Sequence, residues 1–244
     1  MKTRNNICDY IPDKQYRFYY EQLSKDEKAV YDTIRDNLLV CTSNRFIIPN
    51  SPRNYKIPRI VDYILKDIPE IFYLRRFSLH PVGDVVTAEA EYTHSIDEIL
   101  TILHELEERV KELNPYYIIA SSEDKIKAIV NYLSRSMSYC NEGRSTHTLE
   151  SLYKNSGCCQ GISSSFKYLA DRLNLDSAIV SCRKRNTLVW HCLNAVVSDD
   201  IYFVDVTNAL AYPKPYTSPY FHIKTEKVLE NYEDISVSHI LERR

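Results

Sequence analysis

The stretch Gly157-Cys158-Cys159-Gln160-Gly161-Ile162 constrains this chain most, because it opens a run with a helical period. Ile162, Phe166, Leu169 and Leu173 recur at steps of four, three and four, which traces one face of a helix. Asn155 or Ser156 stands where an N-cap is expected, so two adjacent cysteines fall at the helix start. The first backbone N–H groups of a helix lack internal partners and carry partial positive charge. A thiolate placed there is stabilised and becomes a usable nucleophile near neutral pH.

Downstream, His191 and Asp205 lie in two apolar runs, Leu188–Val197 and Ile201–Val206, that read as strands. Cysteine, histidine and aspartate then supply a nucleophile, a base and a group that orients the base. Neighbouring helix residues point about 100° apart, so only one of Cys158 and Cys159 can face the histidine. Asp205 follows Ile201-Tyr202-Phe203-Val204, where a carboxylate needs a partner to offset its desolvation. A histidine ring N–H would serve; the other reading is that Asp205 ties down Thr207-Asn208. Strand parity adds a condition, because side chains alternate between faces. A two-residue turn at Asp199-Asp200 would put His191 and Asp205 on opposite faces. The expectation is therefore a three-residue loop, Ser198-Asp199-Asp200, pairing Val197 with Ile201, with His191, Leu193 and Ala195 turned towards the cysteine helix.

These residues also carry a family resemblance. Gly157-Cys158-Cys159-Gln160-Gly161 resembles the Gly-x-Cys-Gln/Glu-Gly motif of bacterial transglutaminase-like proteins, with Cys159 at the nucleophile position. His191-Cys192-Leu193-Asn194 is similar to that family's His-x-Trp-Asn, and Val204-Asp205-Val206-Thr207 to its Val-Asp-x-Thr. The tryptophan of the second motif is here Leu193, while Trp190 precedes the histidine. The resemblance covers about Ser121 to Thr207 and implies a papain-like core, a cysteine-bearing helix packed on an antiparallel sheet. It implies catalytic roles for Cys159, His191 and Asp205, and a packing role for Cys158. Tyr139, Gln160 and Trp190 become substrate-binding or oxyanion candidates, and Asn194 a residue that pins backbone.

Composition narrows the rest. In 244 residues, 31 Lys and Arg meet 33 Asp and Glu, so no global field recruits nucleic acid or an acidic membrane. Twenty tyrosines against four glycines point to a regular, compact chain. Seven scattered cysteines contain no C-x-x-C pair, which argues against a zinc ribbon or thioredoxin motif, and no metal or cofactor is expected. A set of Cys159, Cys182, His191 and Cys192 has suitable ligand types but no known zinc spacing. The first residues lack the apolar core of a secretory signal, and nowhere does the chain carry an apolar run of about 18 residues. Free thiols and a cytoplasmic location are the expectation.

Along the chain, Ser24 and Glu27 form a capping box before Val30, Ile34 and Leu38, and Ile57–Leu65 reads as a second helix. Ile71–Leu79 and Val85–Tyr92 read as a strand pair joined at His80–Asp84. Ser95 and Glu98 open a long helix that Asn114-Pro115 should end. Ser121 or Ser122 caps the next helix, Ser177–Cys182 is a third strand, and Thr225 caps a short last helix. Pro213, Pro215 and Pro219 bar regular sheet between Tyr212 and Tyr220, a segment expected near the Asp205 end of the site. The class expected is α+β. Residues 1–115 form an N-terminal α/β region, and 116–244 form the transglutaminase-like catalytic domain.

The function expected is cysteine-dependent acyl transfer at amide bonds of a protein or peptide substrate, ending in hydrolysis or transamidation. A non-catalytic binding or scaffold protein that keeps the fold is the alternative, sustained by Leu193 in place of tryptophan.

Overall fold

The computed structural model describes residues 5–49, 56–117, 120–198 and 201–237, the side chains of 114–117 excepted. Its contacts divide the chain into two compact units. One contains Met1–Asp13 and Arg17–Glu107; the other contains Lys14–Tyr16 and Glu108–Arg244.

In the first unit, α1 (Phe18–Glu21) leads into α2 (Lys25–Leu39), β1 (Phe46–Ile48), α3 (Ile57–Asp67), β2 (Leu74–Val82) and β3 (Val85–Tyr92). The Ser24–Glu27 capping box forms, with Glu27 N–H on Ser24 Oγ and Ser24 N–H on Glu27 Oε2. Val30, Ile34 and Leu38 lie fully buried along one side of α2, against a core that includes Ile60 and Ile64 of α3. The strands make an antiparallel sheet in the order β1-β3-β2. The β2–β3 turn is tighter than expected: Val82 pairs with Val85, and Gly83 takes φ +59°. His80, Pro81 and Val82 thus belong to the strand. Pro81 is tolerated because β2 is an edge strand, where a missing N–H need not break a ladder. Several tyrosines act as buried struts here. Asp67, almost fully buried, accepts from the amides of Tyr19 and Tyr20 and from the Tyr31 hydroxyl, while Tyr73 donates to the Leu38 carbonyl.

Helix α4 (Ile96–Tyr117) starts at the Ser95–Glu98 capping box and runs past Asn114-Pro115. A proline so near a helix end removes one hydrogen bond and leaves the preceding turns intact. The division between the units falls inside this helix, between Glu107 and Glu108.

The second unit continues with α5 (Ser122–Ser136, N-capped by Ser121), β4 (Ser138–Tyr139), α6 (Glu150–Lys154), β5 (Ser156–Gly157) and α7 (Cys159–Arg172). Then come β6 (Ser177–Lys184), β7 (Trp190–Val197), β8 (Ile201–Val204), α8 (Val206–Ala209), β9 (Ile223–Lys224), α9 (Thr225–Asn231) and β10 (Tyr232–Glu233). The last five strands form one antiparallel sheet in the order β10-β6-β7-β8-β9. Between Tyr212 and Tyr220 there is no strand, only a short turn of 3-10 helix at Pro215–Thr217.

Helix α7 is the hub of this unit. Its apolar spacing suggested one buried face, but every residue from Gly161 to Asp171 is buried. The polar side chains on its other faces find partners inside. Ser164 and Ser165 bond back to the carbonyls of Gln160 and Gly161. Lys167 pairs with Asp171, one turn on, and donates to the Tyr16 carbonyl at 2.8 Å. Gln15 donates to Asp171 as well, so the segment Lys14–Tyr16 is tied to this helix.

Candidate active site

The start of α7 is built by close backbone packing. Asn155 does not cap it: it takes the left-handed conformation (φ 56°) that ends α6, and Arg109 bonds both its side chain and the Tyr153 carbonyl. Ser156-Gly157 then pairs in parallel with Ser138-Tyr139, which brings Tyr139 alongside the cysteines. Cys158 is the N-cap residue, extended at φ −80°, and its N–H donates to the Thr146 carbonyl at 2.9 Å. Cys159 is the first helical residue.

Both motif glycines are needed for this fit. A Cβ on Gly157 would lie 2.8 Å from Ser151 Cβ. A Cβ on Gly161 would overlap the Thr146 carbonyl oxygen and stand 2.7 Å from Ser151 Oγ. The glycine spacing therefore serves the approach of the 146–151 segment rather than a left-handed turn.

On the sheet, Val197 pairs with Ile201, the register of a three-residue connection; Asp199 and Asp200 lie outside the described residues. Strand β8 stops at Val204, earlier than expected, because Asp205 turns the chain into α8 as its N-cap. Its carboxylate is fully buried and does two jobs at once. Oδ1 accepts the Asn208 N–H at 3.0 Å, while Oδ2 accepts Asn208 Nδ2 and His191 Nε2, each at 2.7 Å. The two readings of Asp205 are thus both met, and the aspartate is locked before it orients the ring.

Burial works against a charge on His191, but hydrogen bonds to Asp205 and to Cys159, with their negative charge, outweigh it and raise its pKa to about 10. Helix α7 meets β7 through residues of both parities, which corrects the expectation of a single odd-numbered face. His191 reaches its first turn, and Asn194, of the other parity, donates Nδ2 to the Ser163 carbonyl at 3.0 Å. Cys158 differs from its neighbour: its hydrogen bond to Cys159 and its burial push its thiol far up. Burial pushes Cys182 up to about 12.

Cys159 and His191 open onto a cleft of about 750 Å³. Tyr139 and Trp190 line it, both largely exposed. Gln160 faces solvent and is not part of the wall, and His147 is likewise exposed outside it. The described residues contain no group of three or more His, Cys, Asp or Glu placed to hold a metal ion, and none of their helices is long and apolar enough to cross a membrane.

The structure adds residues that sequence reading did not find. Tyr232 stacks on the His191 ring, with centroids 5.9 Å apart and planes 14° off parallel. It arrives from β10, which pairs with β6 so that Tyr232 stands opposite Lys184. Tyr220 and Pro219 close the Asp205 end, where the Tyr220 carbonyl accepts the Asp205 N–H at 2.9 Å. Asn208 is the residue that the sequence already offered as one Asp205 ties down. For Tyr232 no signal existed, since a two-residue strand has no period.

No protein-family model matches the chain, and no curated protein does. Solved structures give distant likenesses. One is to a TGase, at 16% identity and TM-score 0.37, covering 55% of this chain and 44% of that one. Another is to a proposed cysteine protease from Cytophaga hutchinsonii, at 10% identity and TM-score 0.37, covering 54% and 61%. A third is to menin, at 11% identity and TM-score 0.37, covering 75% and 35%. The chain spans less than two thirds of the length of each of these structures. At these scores the likenesses say nothing of activity.

Proposed function

We propose that the second unit is a cysteine acyl-transfer catalyst acting on amide bonds. The observation that carries this reading is the His191–Asp205 hydrogen bond of 2.7 Å, made by a fully buried carboxylate, beside a cysteine at a helix start. With Nε2 held by Asp205, Nδ1 is the ring nitrogen left to exchange a proton with Cys159. Because His191, raised to about 10, holds its proton near neutral pH, the Cys159 sulfur would attack the amide carbonyl with the proton already on the imidazole. The C–N bond then breaks, the imidazolium protonates the leaving amine, and an acyl thioester remains on Cys159. Backbone N–H groups at the start of α7 are suited to the oxyanion. Water resolving the thioester gives a carboxylic acid; an amine resolving it gives a new amide.

A thiol-directed probe tests the reading. Single-site labelling at Cys159, blocked by Cys159→Ala and slowed by His191→Ala, is the result expected. Labelling that ignores both substitutions refutes it.

A further inference from the structure

The cleft wall is charged with one sign. Among the described residues that line it are Lys184, Lys227 and His191, and no Asp or Glu. The surrounding carboxylates are engaged. Asp205 holds His191, and Glu233 and Asp234 hold Arg183 at 2.8 and 2.7 Å. Glu230 pairs with Lys227 at 2.6 Å, which offsets that lysine in part. Lys184 is exposed, and among the described residues no carboxylate lies within 4 Å of it.

Strand register puts Lys184 on the reacting side. Cys182 pairs with His191 and Lys184 with Tyr232, and residues two apart on a strand share a face. Lys184 therefore follows His191 along one face, and its cross-strand partner Tyr232 is the residue stacked on the His191 ring. Val189, whose carbonyl accepts the Lys184 N–H, and Trp190, which pairs with Arg183, also line the cleft; both are apolar and more than half exposed. A walled cleft concentrates the field of such charges and raises the local concentration of anions.

Building on the acyl-transfer reading, we infer that this cleft takes an acidic peptide, with a carboxylate near the reacting amide docking on Lys184 and an apolar side chain lying against Val189 and Trp190.

Trp190 is the only tryptophan in the chain, so its fluorescence reports occupancy of the cleft directly. The Cys159→Ala protein is titrated with acetyl-Glu-Glu-Leu-Gln-Glu-Glu-amide and with versions carrying Gln or Lys at every Glu position. The acidic peptide should bind about threefold to tenfold more tightly than the neutral one, the gain of one or two partly screened pairs. That gain should shrink on raising salt from about 20 to about 200 mM. Lys184→Glu should reverse the order of the acidic and basic peptides, and Lys184→Gln should abolish the preference. Lys227→Gln should change it less. Equal binding of all three peptides, no binding at all, or a preference that survives Lys184→Glu overturns the inference. Because the titration needs no turnover, acidic-peptide binding without product from the wild-type protein would refute acyl transfer and leave the charge selectivity standing.

Discussion

Replacing Gly161 by alanine separates two physical effects of opposite sign. Intrinsic helix propensity favours alanine over glycine by up to about 1 kcal/mol, so an isolated helix would gain stability. Here the added methyl has no room. It would overlap the Thr146 carbonyl oxygen, and it would meet Ser151 Oγ at 2.7 Å and Ser151 Cβ at 2.9 Å. A backbone carbonyl cannot rotate aside as a side-chain tip can, and this one also accepts the Cys158 N–H. Overpacking of this kind costs roughly 1–3 kcal/mol, and the displaced carbonyl puts a buried hydrogen bond worth about 1 kcal/mol at risk. Subtracting the propensity gain, Gly161→Ala should destabilise the second unit by about 1–3 kcal/mol. Urea unfolding followed by Trp190 fluorescence measures that unit, because the only tryptophan lies within it. Labelling of Cys159 should slow in the same variant, as the helix start shifts with the carbonyl. A variant as stable as the parent, or more so, would refute the packing account of the motif glycines.

The folded state holds the His191 proton more tightly than the unfolded chain, with a pKa of about 10 against an ordinary 6.5. Its contribution to stability is thus fully present below pH 6.5 and is lost as pH rises towards 10; urea midpoints between pH 6 and 10 should fall in the parent and fall less in His191→Gln. Asp205→Ala breaks a buried pair and frees the Asn208 N–H, so a loss of about 3–5 kcal/mol is expected in chemical denaturation. Asn194→Ala removes the bond to the Ser163 carbonyl and should cost about 1–3 kcal/mol by the same measurement. In timed alkylation at neutral pH read by mass spectrometry, Cys159 should react ahead of Cys41, Cys158 and Cys182, whose thiols are pushed up. Cys158 reacting first would reassign the nucleophile.

Much of this arrangement was legible in the residues because its causes are local. The capping boxes at Ser24 and Ser95 and the period of α5 need only a few neighbouring side chains, and they form where the spacing puts them. Parity alone required the Val197–Ile201 register if His191 and Asp205 were to meet, and they meet. What stayed hidden depends on partners far along the chain. Lys167 and Asp171 lie outside the apolar spacing of α7, yet both are buried, because a segment some 150 residues earlier in the chain supplies partners for them. Tyr232 and Lys184 reach the cleft through a two-residue strand pairing that carries no pattern of its own. The end of α4 was misread because a proline in a last turn weakens a helix less than one in its middle.

The attachment of Lys14–Tyr16 to α7 makes the second unit discontinuous in sequence. The chain enters it at residue 14, leaves after residue 16, and returns only at Glu108. During synthesis, the carbonyl of Tyr16 is made about 150 residues before the lysine it serves. Closing a loop of that length costs little more than closing one half as long, but it slows the search for the contact. The last event in building the second unit should therefore be capture of this early segment by a helix already folded against its sheet. A fragment begun at Glu108 would keep the cysteine, the histidine and the aspartate, yet it would lack the Tyr16 carbonyl and the Gln15 amide that engage the Lys167–Asp171 pair.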